Sequence, residues 1–304
     1  MPTQSHRNIR ILAVGEILWD LLPGGKQLGG APANFAYHAH ALGAEALIVS
    51  RVGDDPAGRE IKDRLRELGL PVDGVAIDPT APTGTASVEL AADGQPRFTI
   101  HEDVAWDRIA ASSTALQAAS QADAVCFGSL AQRREPSRSS VRRLVDATPA
   151  DALRVCDINL RQHYHSPEVI EASLALANVL KLNDQELPMV AGMDGLRGTV
   201  RGQLEALVRR HRLRAAALTR GAHGCLMWVD GVWSEHPGLP CNVVDTVGAG
   251  DAFTAAMTLG LLAHRPPDTI NRRANEVAAY VASQRGATPP LPAEWRQAML
   301  SSIS

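Results

Sequence analysis

Short apolar runs that stop at a glycine or a polar residue recur along the chain. IRILAVG (Ile9 to Gly15) is the first and ALIVSRVG the second; ADAVCFG, LRVCDIN, ANVLKLN and LRAAALT repeat the form. Runs of this length with little inside–outside alternation predict strands buried on both faces. Helical patterns lie between most of them. Pro32 to Leu42 reads as a helix with proline in its first turn, and Gly58 to Leu68 as an amphipathic one. Strands alternating with helices predict an α/β protein, a mainly parallel sheet with helices on both faces. Ligands of such sheets collect outside the carboxyl ends of the strands.

One stretch departs from this rhythm. TGTASVELAADGQPRFTI, from Thr83 towards His101, alternates more than it runs, and Asp93-Gly94 supplies a hairpin turn signal. With Glu16 to Leu28 it is expected to form a small sheet standing off the main one. Projecting from the ligand edge, such a sheet would be a lid; periodicity alone fits an ordinary edge hairpin equally well. The expectation is one domain over 1–304 with a small β lid formed by about 16–28 and 83–101.

Composition removes several classes of function. The chain has 304 residues, 45% hydrophobic and 21% charged, with a net charge of −3. That balance offers no basic field to nucleic acid or an anionic membrane. Aromatic residues are only 4%, too few for a base-stacking surface. Cys126, Cys156, Cys225 and Cys241 have no C-x-x-C spacing and read as reduced, mostly buried thiols of a cytoplasmic protein. MPTQSHRNIR carries no apolar signal core, and no run reaches the ~18 apolar residues of a membrane span. His6, His38, His40, His101, His163, His165 and His211 invite a metal reading. However, His38 and His40 are two apart and so on different helix faces, and no carboxylate or thiol spacing completes a set. They read as surface or core histidines.

Two segments carry candidate chemistry. The first is DTVGAGDAF (Asp245 to Phe253), where Gly248, Ala249 and Gly250 precede an acid and the helical pattern AFTAAMTLGLLA. Their main-chain amides would stand at a helix N-terminus, a natural anion site, and small residues let a phosphate approach. Asp251 would lie at the start of that helix, either as a proton acceptor or as a charge that stabilises the helix dipole. G-x-G-x-x-G fails at Phe253 and no G-x-x-x-x-G-K-[ST] exists, so neither a Rossmann fingerprint nor a P-loop is present. The second segment is LGGAPANFAYHAHALGAEALIVSRVG. Gly29-Gly30 opens a helix with Asn34 in its first turn, where an asparagine serves as a local cap or as a ligand for hydroxyls.

Together these segments resemble the two signatures of the PfkB, or ribokinase-like, family of carbohydrate kinases. Gly29-Gly30-x-x-x-Asn34, with Gly43 and Gly53 in step, resembles the first, and Asp245-Thr-Val-Gly-Ala-Gly-Asp251 the second. The resemblance runs from Ile9 to Thr288. It implies a ribokinase-like fold, with Asp251 as the base and the Gly248, Ala249 and Gly250 loop as the phosphoryl anion site. In GEILWD it places Asp20, with Gly29, Gly30 and Asn34, on the sugar hydroxyls. DINLR puts Arg161 at the phosphate region. KLNDQE resembles the Asn-x-x-Glu motif, in which Asn183 and Glu186 organise magnesium and phosphates through water. The two also fit a capping box. LTRGAHGC resembles the nucleotide-binding strand and turn, with Thr219, Gly221 and Gly224. RRANEVAAYVASQRGAT resembles the adenine-side helix with Asn275 as a contact, and it is equally an ordinary amphipathic helix. The same likeness implies ATP and Mg²⁺ as cofactors, a monovalent cation such as K⁺ beside Asp245 and segment 285–288, and a homodimer through the lid.

GEILWDLLP, FGSLAQR and VAWDRI look most like the fructokinase branch. Ile100-His101 stands where keto-deoxygluconate kinases carry Tyr-Arg, and Ala31 where ribokinases carry Lys. Both departures favour a neutral hexose. The implied reaction is ATP-dependent phosphorylation of a sugar hydroxymethyl group, fructose to fructose 6-phosphate. Other sugar or nucleoside kinases share the fold, as would a non-catalytic sugar- or nucleotide-binding regulator, against which an intact Asp251 argues.

Overall fold

The computed structural model describes residues 8–22, 24–90 and 96–300. His6 and the Asp93-Gly94 turn signal lie outside them. The strands in chain order are β1 (Arg10–Val14), β2 (Leu18–Leu22), β3 (Gly25–Gly29), β4 (Glu45–Gly53), β5 (Val75–Asp78), β6 (Thr85–Leu90) and β7 (Pro96–Ile100). They continue with β8 (Ala124–Gly128), β9 (Leu153–Asp157), β10 (Val179–Asn183), β11 (Ala215–Thr219), β12 (Cys225–Val229) and β13 (Val232–His236). The helices are α1 (Ala31–Ala41), α2 (Pro56–Glu67), α3 (Ser113–Ala119), α4 (Ser137–Asp146) and α5 (Pro167–Leu176). After them come α6 (Glu186–Met193), α7 (Val200–His211), α8 (Ala249–Leu262), α9 (Pro267–Ala282) and α10 (Ala293–Leu300).

The larger sheet runs β13-β12-β11-β10-β9-β8-β1-β4-β5. From β11 to β5 its neighbours pair in parallel; β12 and β13 are antiparallel additions at one edge. The apolar runs have a simple cause. In β1, Ile11 and Ala13 enter a core shared with α1, α8 and α9, while Leu12 and Val14 enter a second core shared with α4, α5 and α7. Both faces are covered, so both sets of side chains are apolar. Helix α8 is buried almost all round: every residue from Ala252 to Gly260 is inside. A Cβ on Gly260 would come within 3.0 Å of Ile270 of α9, so the glycine sets how closely the two helices pack.

The alternating stretch and the segment after β1 form a second sheet, ordered β3-β2-β6-β7. Its root is clamped by Arg133. The guanidinium bonds both Asp107 oxygens at 2.7 and 2.8 Å and the His101 carbonyl at 2.7 Å. It also stacks 3.9 Å from the Trp106 ring centre and 4.6 Å from that of Tyr164. A buried cation held by a bidentate carboxylate and two aromatic faces is a rigid strut. Of the cysteines, Cys126, Cys156 and Cys225 are buried and Cys241 is exposed.

Candidate active site

Parallel strands put their carboxyl ends on one edge. Glu16 follows β1 there, Asp157 ends β9 with Arg161 just beyond, Asn183 ends β10 and Thr219 ends β11. The small sheet leaves from the same edge through β2.

The double glycine marks a crossing of chains. A Cβ on Gly29 would meet Asp20 Oδ2 at 2.2 Å, and one on Gly30 would meet the Glu16 carbonyl at 2.4 Å. Gly30 has φ 107°, a backbone that favours glycine. This crossing delivers the Asp20 carboxyl to the start of α1. One turn in, Asn34 is buried, and its Nδ2 donates to Asp251 Oδ2 at 2.8 Å. The two signature segments, 217 residues apart, are therefore joined by a hydrogen bond. Asn34 Oδ1 is enclosed and has no partner among the described residues. Asn34 bonds another segment and so is not a local cap.

The opposite wall is the N-terminus of α8. Gly248 takes φ 80°, and a Cβ there would strike the Ala287 carbonyl at 2.5 Å. Ala249 N–H leans back to the Thr246 carbonyl at 3.3 Å, so the first-turn amides of Gly250 and Asp251 are the freer donors. Beneath them lies a pair that the sequence reading did not single out. Lys181 Nζ donates to Asp157 Oδ1 at 3.0 Å, and both are buried. The two are register partners on adjacent strands. The Thr254 hydroxyl, one turn into α8, lies 2.9 Å from both Asp157 Oδ2 and the Gly250 carbonyl. A Cβ on Gly250 would come 3.2 Å from Lys181 Nζ. The ion pair thus underlies the glycine loop. KLN and DIN carry Lys181 and Asp157 in plain sight, but only strand register shows that they meet. Glu16 likewise stands inside GEILWD, four residues before Asp20, with no spacing signal of its own.

Electrostatics tie the walls together. Burial pushes the Asp251 carboxyl up to about 6, helped by Asp157 and opposed by the Asn34 bond, Lys181 and Arg161. Burial also lifts Asp20 to about 6, with the exposed Arg161 opposing. Glu16 goes to about 7, burial again leading. The Arg161 charge lowers all three, so the Asp20, Glu16 and Asp251 carboxyls face one cation. For Lys181, burial works against the charge, but Asp157, Glu186 and Asp251 outweigh it and the ammonium is stabilised.

Farther along the same edge, Asn183 and Thr219 are register partners at neighbouring strand ends. Asn183 and Glu186 do form the capping box. Asn183 Oδ1 accepts from Glu186 N–H at 2.9 Å, and Glu186 Oε2 accepts from Asn183 N–H at 2.8 Å. Glu186 Oε1 takes the Leu160 N–H at 2.8 Å. Glu186 is buried rather than on a surface helix, and burial raises its pKa. Gly221 opens the following turn. A Cβ on Gly224 would collide with the His236 carbonyl at 2.1 Å, which accounts for that glycine by packing alone. Asn275 differs from expectation: its amide nitrogen turns inward to Asn271 O and Oδ1, at 2.8 and 2.9 Å. Asp245 reaches segment 285–288, accepting from Gly286 N–H at 3.1 Å, and also accepts from Val247 N–H at 3.0 Å. Among the described histidines, His38 is buried with Nε2 2.9 Å from the Ala287 carbonyl. His101 bridges the small-sheet hydroxyls of Thr85 and Ser87 at 2.9 and 3.0 Å. No group of three or more His, Cys, Asp or Glu suited to a metal occurs among the described residues.

A large parallel sheet with a small sheet over its carboxyl edge, and a carboxyl at a glycine-rich helix N-terminus between them, is the ribokinase-like arrangement of a phosphotransferase acting on an alcohol. The chain belongs to the pfkB family of carbohydrate kinases, whose model matches residues 24–294. It is 32% identical over 303 residues to a fructokinase of Klebsiella pneumoniae, covering 94% of this chain and 97% of the relative. An uncharacterized sugar kinase from Pyrococcus horikoshii, solved in complex with ATP, superposes with a TM-score of 0.82 at 27% identity, covering 97% of this chain and 100% of that one. A fructokinase from Vibrio cholerae, solved with fructose, ADP and calcium, gives 0.78 at 24% identity over 97% and 99% of the two chains, a likeness that speaks to the fold.

Proposed function

We propose that the protein is an ATP-dependent fructokinase that phosphorylates the terminal hydroxymethyl group of fructose to fructose 6-phosphate. The observation that carries the reading is the Asn34–Asp251 hydrogen bond, which puts a hydroxyl-binding helix start against a carboxyl at an anion-binding helix start. Asp251 takes the proton of the attacking hydroxyl, and its displaced pKa near 6 keeps it ionised at neutral pH and basic enough to accept. Asp20 and the unpartnered Asn34 Oδ1 hold the other sugar hydroxyls; a buried acceptor without a donor suits a polyol. Amides at the start of α8, with Lys181 behind them, stabilise charge on the transferred group, assisted by Arg161.

ATP fits the edge at Asn183, Thr219 and the Gly221–Gly224 turn, with Asn275 behind them in α9. Mg²⁺, when bound, neutralises phosphate charge. Both Glu186 oxygens already accept a main-chain N–H, so Glu186 and Asn183 suit an ion reached through water. Asp245 and segment 285–288 suit a monovalent cation such as K⁺. The chain is one kinase unit in which the small sheet closes as a lid and excludes water. Leu21, exposed on β2, suits a homodimer through that sheet. No described helix is long and apolar enough to cross a membrane, and buried free thiols suit the reducing cytoplasm.

The test is ADP release from ATP with a panel of sugars and identification of the product. Fructose is expected to be the best acceptor. A nucleoside or ribose preferred over fructose would overturn the substrate, and no turnover with any acceptor would overturn the enzyme.

A further inference from the structure

Glu16 is a buried carboxyl of the site that takes no part in the reaction as derived. It is 3% exposed, and its Oε2 has no partner among the described residues. Its own amide and the N–H of Ala31, the first residue of α1, lie close enough to favour the charged form and only partly offset its burial. A cavity of about 10 Å³, room for one water, is lined by Glu16, Asp251 and Asp157 with Phe35, Cys126 and Ser129. The charged and titratable groups facing Glu16 are Asp251 from α8, Arg161 and Asp157 from β9 and the segment after it, and Cys126 from β8. Burial holds the Cys126 thiol neutral, and Lys181 is already bonded to Asp157.

Two carboxyls lining one small pocket do not both ionise freely. Their surroundings decide which one does. Asp251 accepts the Asn34 N–H and has both Lys181 and Arg161 within electrostatic reach. Glu16 presents a bare oxygen, and an enclosed carboxylate oxygen without a donor is strongly disfavoured. We propose that Glu16 and Asp251 form a one-proton pair, in which protonated Glu16 leaves Asp251 as the ionised base and keeps a second negative charge away from the phosphoryl group arriving at α8. Glu16 is thus a positioning residue acting through Asp251, and the proposal rests on the reading of Asp251 as the base. The directions agree, with Glu16 lifted to about 7 and Asp251 to about 6. Glu16 is neutral below that point and becomes charged as pH rises through it. Its charge then raises the proton affinity of Asp251 and opposes the incoming nucleotide phosphates.

Glu16→Gln imitates the protonated form. In steady-state kinetics from about pH 6 to about pH 9, the wild-type KM for MgATP should climb about threefold or more above neutrality, whereas E16Q should stay flat. Superimposable KM curves would overturn the pair. Should E16Q fail to fold, carbon-13 NMR of carboxyl-labelled glutamate in the wild-type enzyme should show one residue titrating near neutrality, with its midpoint lowered in Asp251→Asn. No glutamate responding to D251N would overturn the proposal. A responsive glutamate with turnover intact in D251N would instead remove Asp251 as the base.

Discussion

Replacing Asp251 with asparagine separates charge from shape. Asparagine has nearly the same volume, and its carbonyl oxygen can still accept the Asn34 N–H that now reaches Oδ2 at 2.8 Å. What disappears is the ability to ionise. Burial raises the carboxyl from the ordinary 3.8 to about 6 in the native state. At 1.36 kcal/mol per pKa unit, that is about 3 kcal/mol of native stability lost once the group is ionised. The raised native pKa fixes the sign. The stabilisation is fully present below about pH 4 and is lost as pH rises through about 6, because across that window the native state holds more protons than the unfolded one. D251N does not titrate and escapes the loss. Its melting temperature should match wild type near pH 4 and exceed it by about 5 °C near pH 8 in a chain of this size. Turnover, read by coupled ADP release, should fall by about two orders of magnitude or more, with nucleotide binding largely retained. A melting difference independent of pH would refute the electrostatic reasoning, and near-normal turnover would remove Asp251 from the mechanism.

Two further outcomes follow from neighbouring contacts. Asp20→Ala removes the carboxyl that lies over Gly29 and should raise the apparent KM for sugar far more than that for ATP; an unchanged sugar dependence would take Asp20 out of the binding site. Lys181→Met strands the buried Asp157 charge and should destabilise the protein by about 3–5 kcal/mol in denaturant titration. Adding Asp157→Asn should recover part of that loss, and strictly additive losses would dissolve the pair beneath the glycine loop.

The sheet was legible because burial on both faces imposes a local signature. β1, β4, β8, β9, β10 and β11 each coincide with an apolar run, and the alternating stretch became β6 and β7. β12 and β13 carry their own signal in Asp230-Gly231 between two apolar segments, with φ 44° and 93°, the mirror-image turn of a tight hairpin. The site was legible in its glycines and acids, but not in its support. Lys181 sits in a strand that reads as apolar, and its partner arrives through the register of another strand. Glu16 looks like any polar strand end until Phe35, Cys126 and Asp251 close around it. The inward turn of the Asn275 amide was not legible, because a sequence does not say which face of α9 meets β12 and β13.

The bond between Asn34 and Asp251 also sets when the enzyme comes into being. A chain made from its N-terminus has the sheet strands through β11 and helix α1 on hand before α8 is synthesised. Until then Asn34 lacks its acceptor, and the wall of β1 and β4 covered by α1 has no α8 to pack against. Contacts of such sequence separation form late, because loop closure must precede any gain from them. The part of the chain from Ala249 onward is therefore both the lid on one core and the switch that turns a folded sheet into a kinase. A nascent chain stalled short of α8 holds the apolar surface of an aggregation-prone intermediate and none of the chemistry.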